Sequence, residues 1–173
     1  GPSFHIDSKV ERLNIHQGNV KDMKVAMTYE TGKLDVMATV ENEQMQGGVL
    51  LAYDLSDSLN FLSTRGQLRI DELAAFGLDI KGGQEALETS FEIIHAGQEN
   101  KSFTNLSLTD FKYTCDTATF TIDKISMEDN QKGDHNTTTL KSDVVDLFIS
   151  GNFRELRPAP FVFRLMQNYL PAY

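Results

Sequence analysis

The chain has 173 residues, 25 of them acidic against 16 basic, and a formal charge of −9. That balance argues against nucleic acid or an anionic membrane surface as partner, because both would be repelled. A single cysteine cannot form an internal disulfide, and no run of 18 apolar residues marks a membrane-spanning helix.

The length suits one domain that buries roughly 70% of its unfolded surface. Gly1-Pro2-Ser3 reads as the scar of a cleaved purification tag, so the ends are not expected to carry targeting information. The first clear pattern runs from Lys24 to Tyr53. Val25, Met27 and Tyr29 alternate with Lys24, Ala26, Thr28 and Glu30, and Leu34, Val36, Ala38 and Val40 with Lys33, Asp35, Met37 and Thr39. Period two of this kind predicts strands with one apolar face.

A two-residue turn at Thr31-Gly32 sets Glu30 opposite Lys33 and aligns Tyr29 with Leu34, Met27 with Val36, Val25 with Ala38 and Met23 with Val40. A one-residue slip would oppose every apolar side chain to a polar one. A second turn at Asn42-Glu43 predicts Val40 opposite Met45, Val36 opposite Val49 and Leu34 opposite Leu51. Both turns specify an antiparallel meander.

Further strands are expected around Leu68 and Ile70, Phe91 and Ile93, Leu106 and Leu108, Phe120 and Ile122, and Val145, Leu147 and Ile149. Val144 and Phe148 make the last of these apolar on both sides. The total comes to about ten to twelve strands. Leu55–Ser58, Lys81-Gly82-Gly83, Gly97–Ser102 and the polar run Glu128–Asp143 read as turns and loops. Asp71–Leu78, DELAAFGL, reads equally as a turn or two of helix or as irregular chain, because Gly77 cuts it short.

The tail differs. Pro158 and Pro160 suit a helix start, and Phe161, Leu165 and Tyr169 form one ridge beside Val162 and Met166. An amphipathic helix over 158–171 is predicted, following a β-rich unit over 4–157.

Nothing assembles into catalytic chemistry. His5, His16, His95 and His135 are scattered without a metal-ligand spacing, and Asp129, Asp134 and His135 read as a solvated loop. Asp54 and Asp57 read as turn residues, and Cys115 as an unactivated thiol beside Thr114 and Asp116. No glycine-rich phosphate cradle is present, and no cofactor or metal is expected. Asn105-Leu-Ser and Asn136-Thr-Thr match the glycosylation sequon by spacing alone. On alternation alone, the apolar stripe reads first as the core of an ordinary two-sheet sandwich.

The segments GQLRIDELAAFGL (66–78), NLSLTDFKY (105–113), FTIDKISM (120–127) and LKSDVVDLFISGNFRELRPAPFVFRLMQNYLP (140–171) occur in an order that resembles TamB proteins of the Bacteroidetes type, within the AsmA-like group. The closing pattern is carried by Ser142-Asp143, Asp146, Ile149, Gly151 and Phe153, then Tyr169-Leu170-Pro171. The likeness spans about two thirds of the chain and fades before Gly66.

The resemblance implies an internal fragment of a long periplasmic protein, anchored in the inner membrane. It implies a curved, U-shaped antiparallel sheet, the β-taco, whose concave face is apolar. The implied function is non-enzymatic: phospholipid transport to the outer membrane, or support of outer-membrane protein assembly with a TamA-like barrel. The fragment lacks the anchor and the barrel-contacting region, so it is expected to carry neither activity whole.

An apolar meander with no second layer must cover its oily face with itself, a helix or lipid tails. The expected lining for phospholipid acyl chains is Val25, Met27, Tyr29, Leu34, Val36, Leu51, Leu68, Ile70, Phe91, Ile93, Leu106, Leu108, Phe120, Ile122, Leu147 and Ile149. Phe161, Val162, Leu165, Met166 and Tyr169 are expected to cap that groove. The alternatives are a chaperone-like surface offering sheet edges to outer-membrane strands, and an unrelated β-sandwich binding module. Stacking of fragments through terminal strands is also open.

Overall fold

A computed structural model describes residues 1–55, 60–78, 83–116 and 118–152. The predicted helix, with Phe161, Val162, Leu165, Met166 and Tyr169, lies outside the described residues. The same holds for Asp57 and Phe153.

Ten strands follow one another: β1 (Ser3–Ile15), β2 (Gly18–Glu30), β3 (Lys33–Glu41), β4 (Met45–Asp54), β5 (Asn60–Ile70), β6 (Glu85–Gln98), β7 (Lys101–Cys115), β8 (Ala118–Lys132), β9 (His135–Ser142) and β10 (Asp146–Gly151). Each pairs with the next, antiparallel, in a single sheet that is curled but not closed. One sheet in place of two removes the sandwich reading. Between β5 and β6 a 310 turn spans Leu73–Phe76, and Gly77 ends it in the left-handed conformation at φ 72°.

The first predicted hairpin has the register read from the sequence, from Glu30 opposite Lys33 to Val25 opposite Ala38. Its ladder stops at Lys24 and Thr39, so the expected Met23–Val40 pair does not form. Asp22, at φ 56°, turns β2 just before that point.

The second hairpin is shifted. Val40 pairs with Gly47, Val36 with Leu51 and Leu34 with Tyr53, two residues from the predicted partners Met45, Val49 and Leu51. The cause is local. Asn42 Oδ1 accepts from the backbone N–H of Gln44 at 2.9 Å and of Met45 at 2.8 Å, so the connection is Asn42–Gln44 instead of a two-residue turn. A shift of two preserves which face each side chain takes, because the strand period is two. The apolar face therefore survives the error.

The polar run from Glu128 to Asp143 is a hairpin of β8 and β9 rather than a loop, with only Gly133 and Asp134 between the strands. Gly97–Ser102 is likewise mostly strand, interrupted at Glu99 and Asn100. β1 carries no regular oily alternation in its charged middle and was not predicted at all; its pairing with β2 makes it a strand.

Between β4 and β5 the backbones approach too closely for a side chain at two positions. Gly47 pairs with Leu68, and Val49 with Gly66. A Cβ on Gly47 would collide with the Gln67 carbonyl, and one on Gly66 with the Gly48 carbonyl and with Phe91 Cζ at 2.9 Å. Only glycine lets the two backbones fold toward each other on this side.

At one end, three connections lock together through Gln44. Its side chain accepts from Asn19 N–H at 3.0 Å and donates to Glu72 at 2.8 Å, while its carbonyl accepts from Asp71 N–H at 3.0 Å. Gln17 N–H donates to the Ala75 carbonyl at 3.0 Å, and a Cβ on Gly18 would lie 2.5 Å from the Phe76 ring. The 310 turn thus reaches back over the sheet to the β1–β2 turn. Leu73 and Phe76 are buried against Val20, Ile70, Phe111, Tyr113 and Ile122.

Beneath this cap, Tyr113 Oη donates to Glu85 Oε1 at 2.6 Å, both side chains buried. Burial first, then the hydrogen bond to Glu85, push the Tyr113 phenol well above its ordinary range, so it stays a donor. Tyr113→Phe is expected to lower unfolding free energy by about 1–3 kcal/mol, because a buried carboxylate loses a donor. Urea denaturation measures it; an unchanged midpoint would show that the bond is immaterial.

Candidate functional site

Strand pairing places all sixteen predicted lining residues on one face. Chained register by register, Val25 continues through Ala38, Val49, Gly66, Phe91 and Leu108 to Ile125. A parallel row runs Met27, Val36, Leu51, Thr64, Ile93, Leu106, Met127, Leu140 and Leu147. The next row holds Tyr29, Leu34, Tyr53, Leu62, His95, Thr104, Asp129, Thr138 and Ile149. Toward the 310 turn lie Met45, Ile70, Leu87, Tyr113 and Phe120, and beside them Leu68, Phe111 and Ile122.

Of the sixteen, Ile70 and Ile122 are buried in the capped end, and the other fourteen are half-buried. The opposite face is mostly exposed on β2 and β3, with Lys24, Thr28, Asp35 and Met37 in the open. The 310 turn fills one end of the trough with the chain's own side chains.

Several lining residues escaped the sequence reading because the alternation changes phase. Leu108 and Phe111 share the inner face although three positions apart, and Asp110 between them has φ 53°. The β6–β7 register shifts at the same level, between Glu88 and Ser90. Such a bulge turns the strand and resets the parity. Val20 and Met23, on either side of Asp22, repeat the arrangement in β2. Aspartate at a break in alternation is the signal that could have found both, since it tolerates positive φ better than most residues.

Asp129 is also corrected. It is buried on the inner face, where Oδ1 accepts from Thr138 Oγ1 at 2.5 Å and Oδ2 from Asn136 Nδ2 at 3.4 Å. His135 instead faces Ser150 Oγ at 3.0 Å on the outer side, so the three residues form no common site. Asn136 is fully buried, which removes it as a glycosylation acceptor. Among the described residues no cluster of His, Cys, Asp or Glu is placed to hold a metal ion. Asp54 ends β4 and pairs with Lys33 at 3.7 Å. Cys115 is a free, half-buried thiol opposite Glu85.

The edge strand β1 presents Phe4, Ile6, Leu13 and Ile15 at 40–50% exposure. Phe4 stacks on Tyr29 with ring centroids 5.3 Å apart. Among the described residues no helix is long and apolar enough to cross a membrane.

Fold and site together define an open, one-sheet trough with an apolar inner face. Comparison with protein-family models, with curated proteins and with solved structures finds no match for the chain.

Proposed function

We propose that this chain is a non-enzymatic, lipid-binding segment of a TamB-like periplasmic bridge protein, and that its trough carries phospholipid acyl chains between inner and outer membranes. The supporting observation is the one-sided face: fourteen predicted lining residues are half-buried in a sheet that, among the described residues, has no second sheet facing it. Covering apolar area by acyl chains is worth about 25 cal/mol per Å², whichever partner supplies it. In the full-length protein, anchored in the inner membrane, the trough would hand its guest toward a TamA-like outer-membrane barrel.

Protein purified from cells without detergent is expected to show phospholipid adducts in native mass spectrometry. Spectra containing only the bare chain would reject the acyl-chain reading.

The outer edge of β1, unpaired among the described residues, favours a second reading. Its 13 residues offer a long hydrogen-bonding template to an extended outer-membrane strand, which would make this a chaperone-like surface supporting assembly. It would also allow fragments to stack through terminal strands. Under that reading an extended strand peptide binds while lipid adducts are missing.

A further inference from the structure

The inner face changes character along the length of the trough. The rows nearest the 310 turn are mostly apolar or aromatic, their polar members Glu85 and Thr89 being buried and hydrogen-bonded within the chain, and Leu73 and Phe76 seal that end. Two rows from the far end, β6 to β9 present His95, Thr104, Asp129 and Thr138. The last row, Asn60, Gly97, Ser102, Gln131, Asn136 and Gly151, contains no apolar side chain larger than glycine. Among the described residues, pairing puts no lysine or arginine on this face; its charged groups are Glu85 and Asp129. Glu85 is tied to Tyr113 at the sealed end, which leaves Asp129 to set the charge at the other. Asn136 adds a buried Oδ1 without a hydrogen-bond partner.

We infer that the trough holds its guest in one orientation, with acyl tails toward the 310 turn. The head lies at the polar end and donates hydrogen bonds, as an ammonium-bearing zwitterion does. The inference rests on the lipid-binding reading and deepens it. A head whose sole charge is phosphate would meet a carboxylate with no cation on the same face, and like charges in a partly buried site repel. Reversed, the head would lie against the sealed end, where Glu85 is buried and already bonded to Tyr113, and lose its water without gaining partners.

The chain contains no tryptophan, so Phe120→Trp near the sealed end and Tyr53→Trp near the polar end each supply a single reporter. Both swaps keep an aromatic ring at a half-buried position, and circular dichroism checks the fold. The probe is a lysophospholipid, below its micelle concentration, with a nitroxide either near the acyl terminus or on the head.

The acyl label is expected to quench the Phe120→Trp protein more than the Tyr53→Trp protein, and the head label to reverse that order. Equal quenching at both positions, or the opposite order, overturns the orientation. An unlabelled competitor with a phosphoethanolamine head is expected to displace the probe at lower concentration than one with a phosphoglycerol head; equal displacement overturns the head assignment. No quenching by either label overturns the lipid-binding reading itself.

Discussion

Gly66→Ala is expected to destabilise the sheet by about 3 kcal/mol or more, the upper range for overpacking. The added methyl would drive into the Gly48 carbonyl and approach Phe91 Cζ to 2.9 Å. A backbone oxygen cannot swing aside as a side-chain tip can, so relief requires β4 and β5 to move apart and the curl to relax. Against this stands the gain of about 0.4–1 kcal/mol from restricting the unfolded chain, which is too small to compensate. Gly48→Ala is the internal control. Its Cβ would meet Thr39 Cγ2 at 3.6 Å and the Ala38 carbonyl at 3.8 Å, ordinary contact distances. That variant is expected to be neutral or slightly stabilised. Urea midpoints of the two proteins decide the matter, and equal midpoints would mean that the close approach at Gly66 is not needed for the fold.

Phe76→Ala is expected to cost about 3–5 kcal/mol, the usual range for a buried aromatic truncated to alanine. Phe76 is 5% exposed and fills the space that the missing Cβ of Gly18 leaves in β2. Its loss takes away the ring that joins the 310 turn to the first hairpin, and it unseals one end of the trough. A rise in binding of an environment-sensitive hydrophobic dye should accompany the fall in urea midpoint. Ala74→Ser, on the exposed side of the same turn, should change neither. A Phe76→Ala protein with unaltered midpoint and dye binding would show that the turn merely rests on the sheet.

These two changes touch features with very different visibility in the sequence. DELAAFGL read equally as a short helical piece ended by Gly77 or as irregular chain, and nothing local says that Phe76 packs over Gly18 in β2. The partner of that contact lies 58 positions away and is a residue with no side chain. Gly47 and Gly66 are similarly silent: each reads as a weak point in a strand until the neighbouring backbone is seen folding onto it. Asp129 was placed in a solvated loop because threonines, asparagines and charges crowd around it. Pairing turned that stretch into a hairpin whose alternate polar side chains face inward and bond to one another, which composition cannot distinguish from a loop. β1 went unread for the same reason, since Lys9, Glu11 and Arg12 mask its apolar positions.

By itself, the chain's alternation determined that this is an antiparallel meander and which side chains share a face. A strand's period is two, so parity passes intact even through a hairpin shifted by two residues at Asn42, and it is reset only at the breaks beside Asp22 and Asp110. Only the tertiary structure decided the close approach of β4 and β5, the sealed end and the polarity along the trough. Those depend on what opposes each position across the sheet: a carbonyl beside Gly66, a ring over Gly18, a threonine against Asp129. Sequence spacing records the order of residues along a strand, and such meetings are set by distance in space.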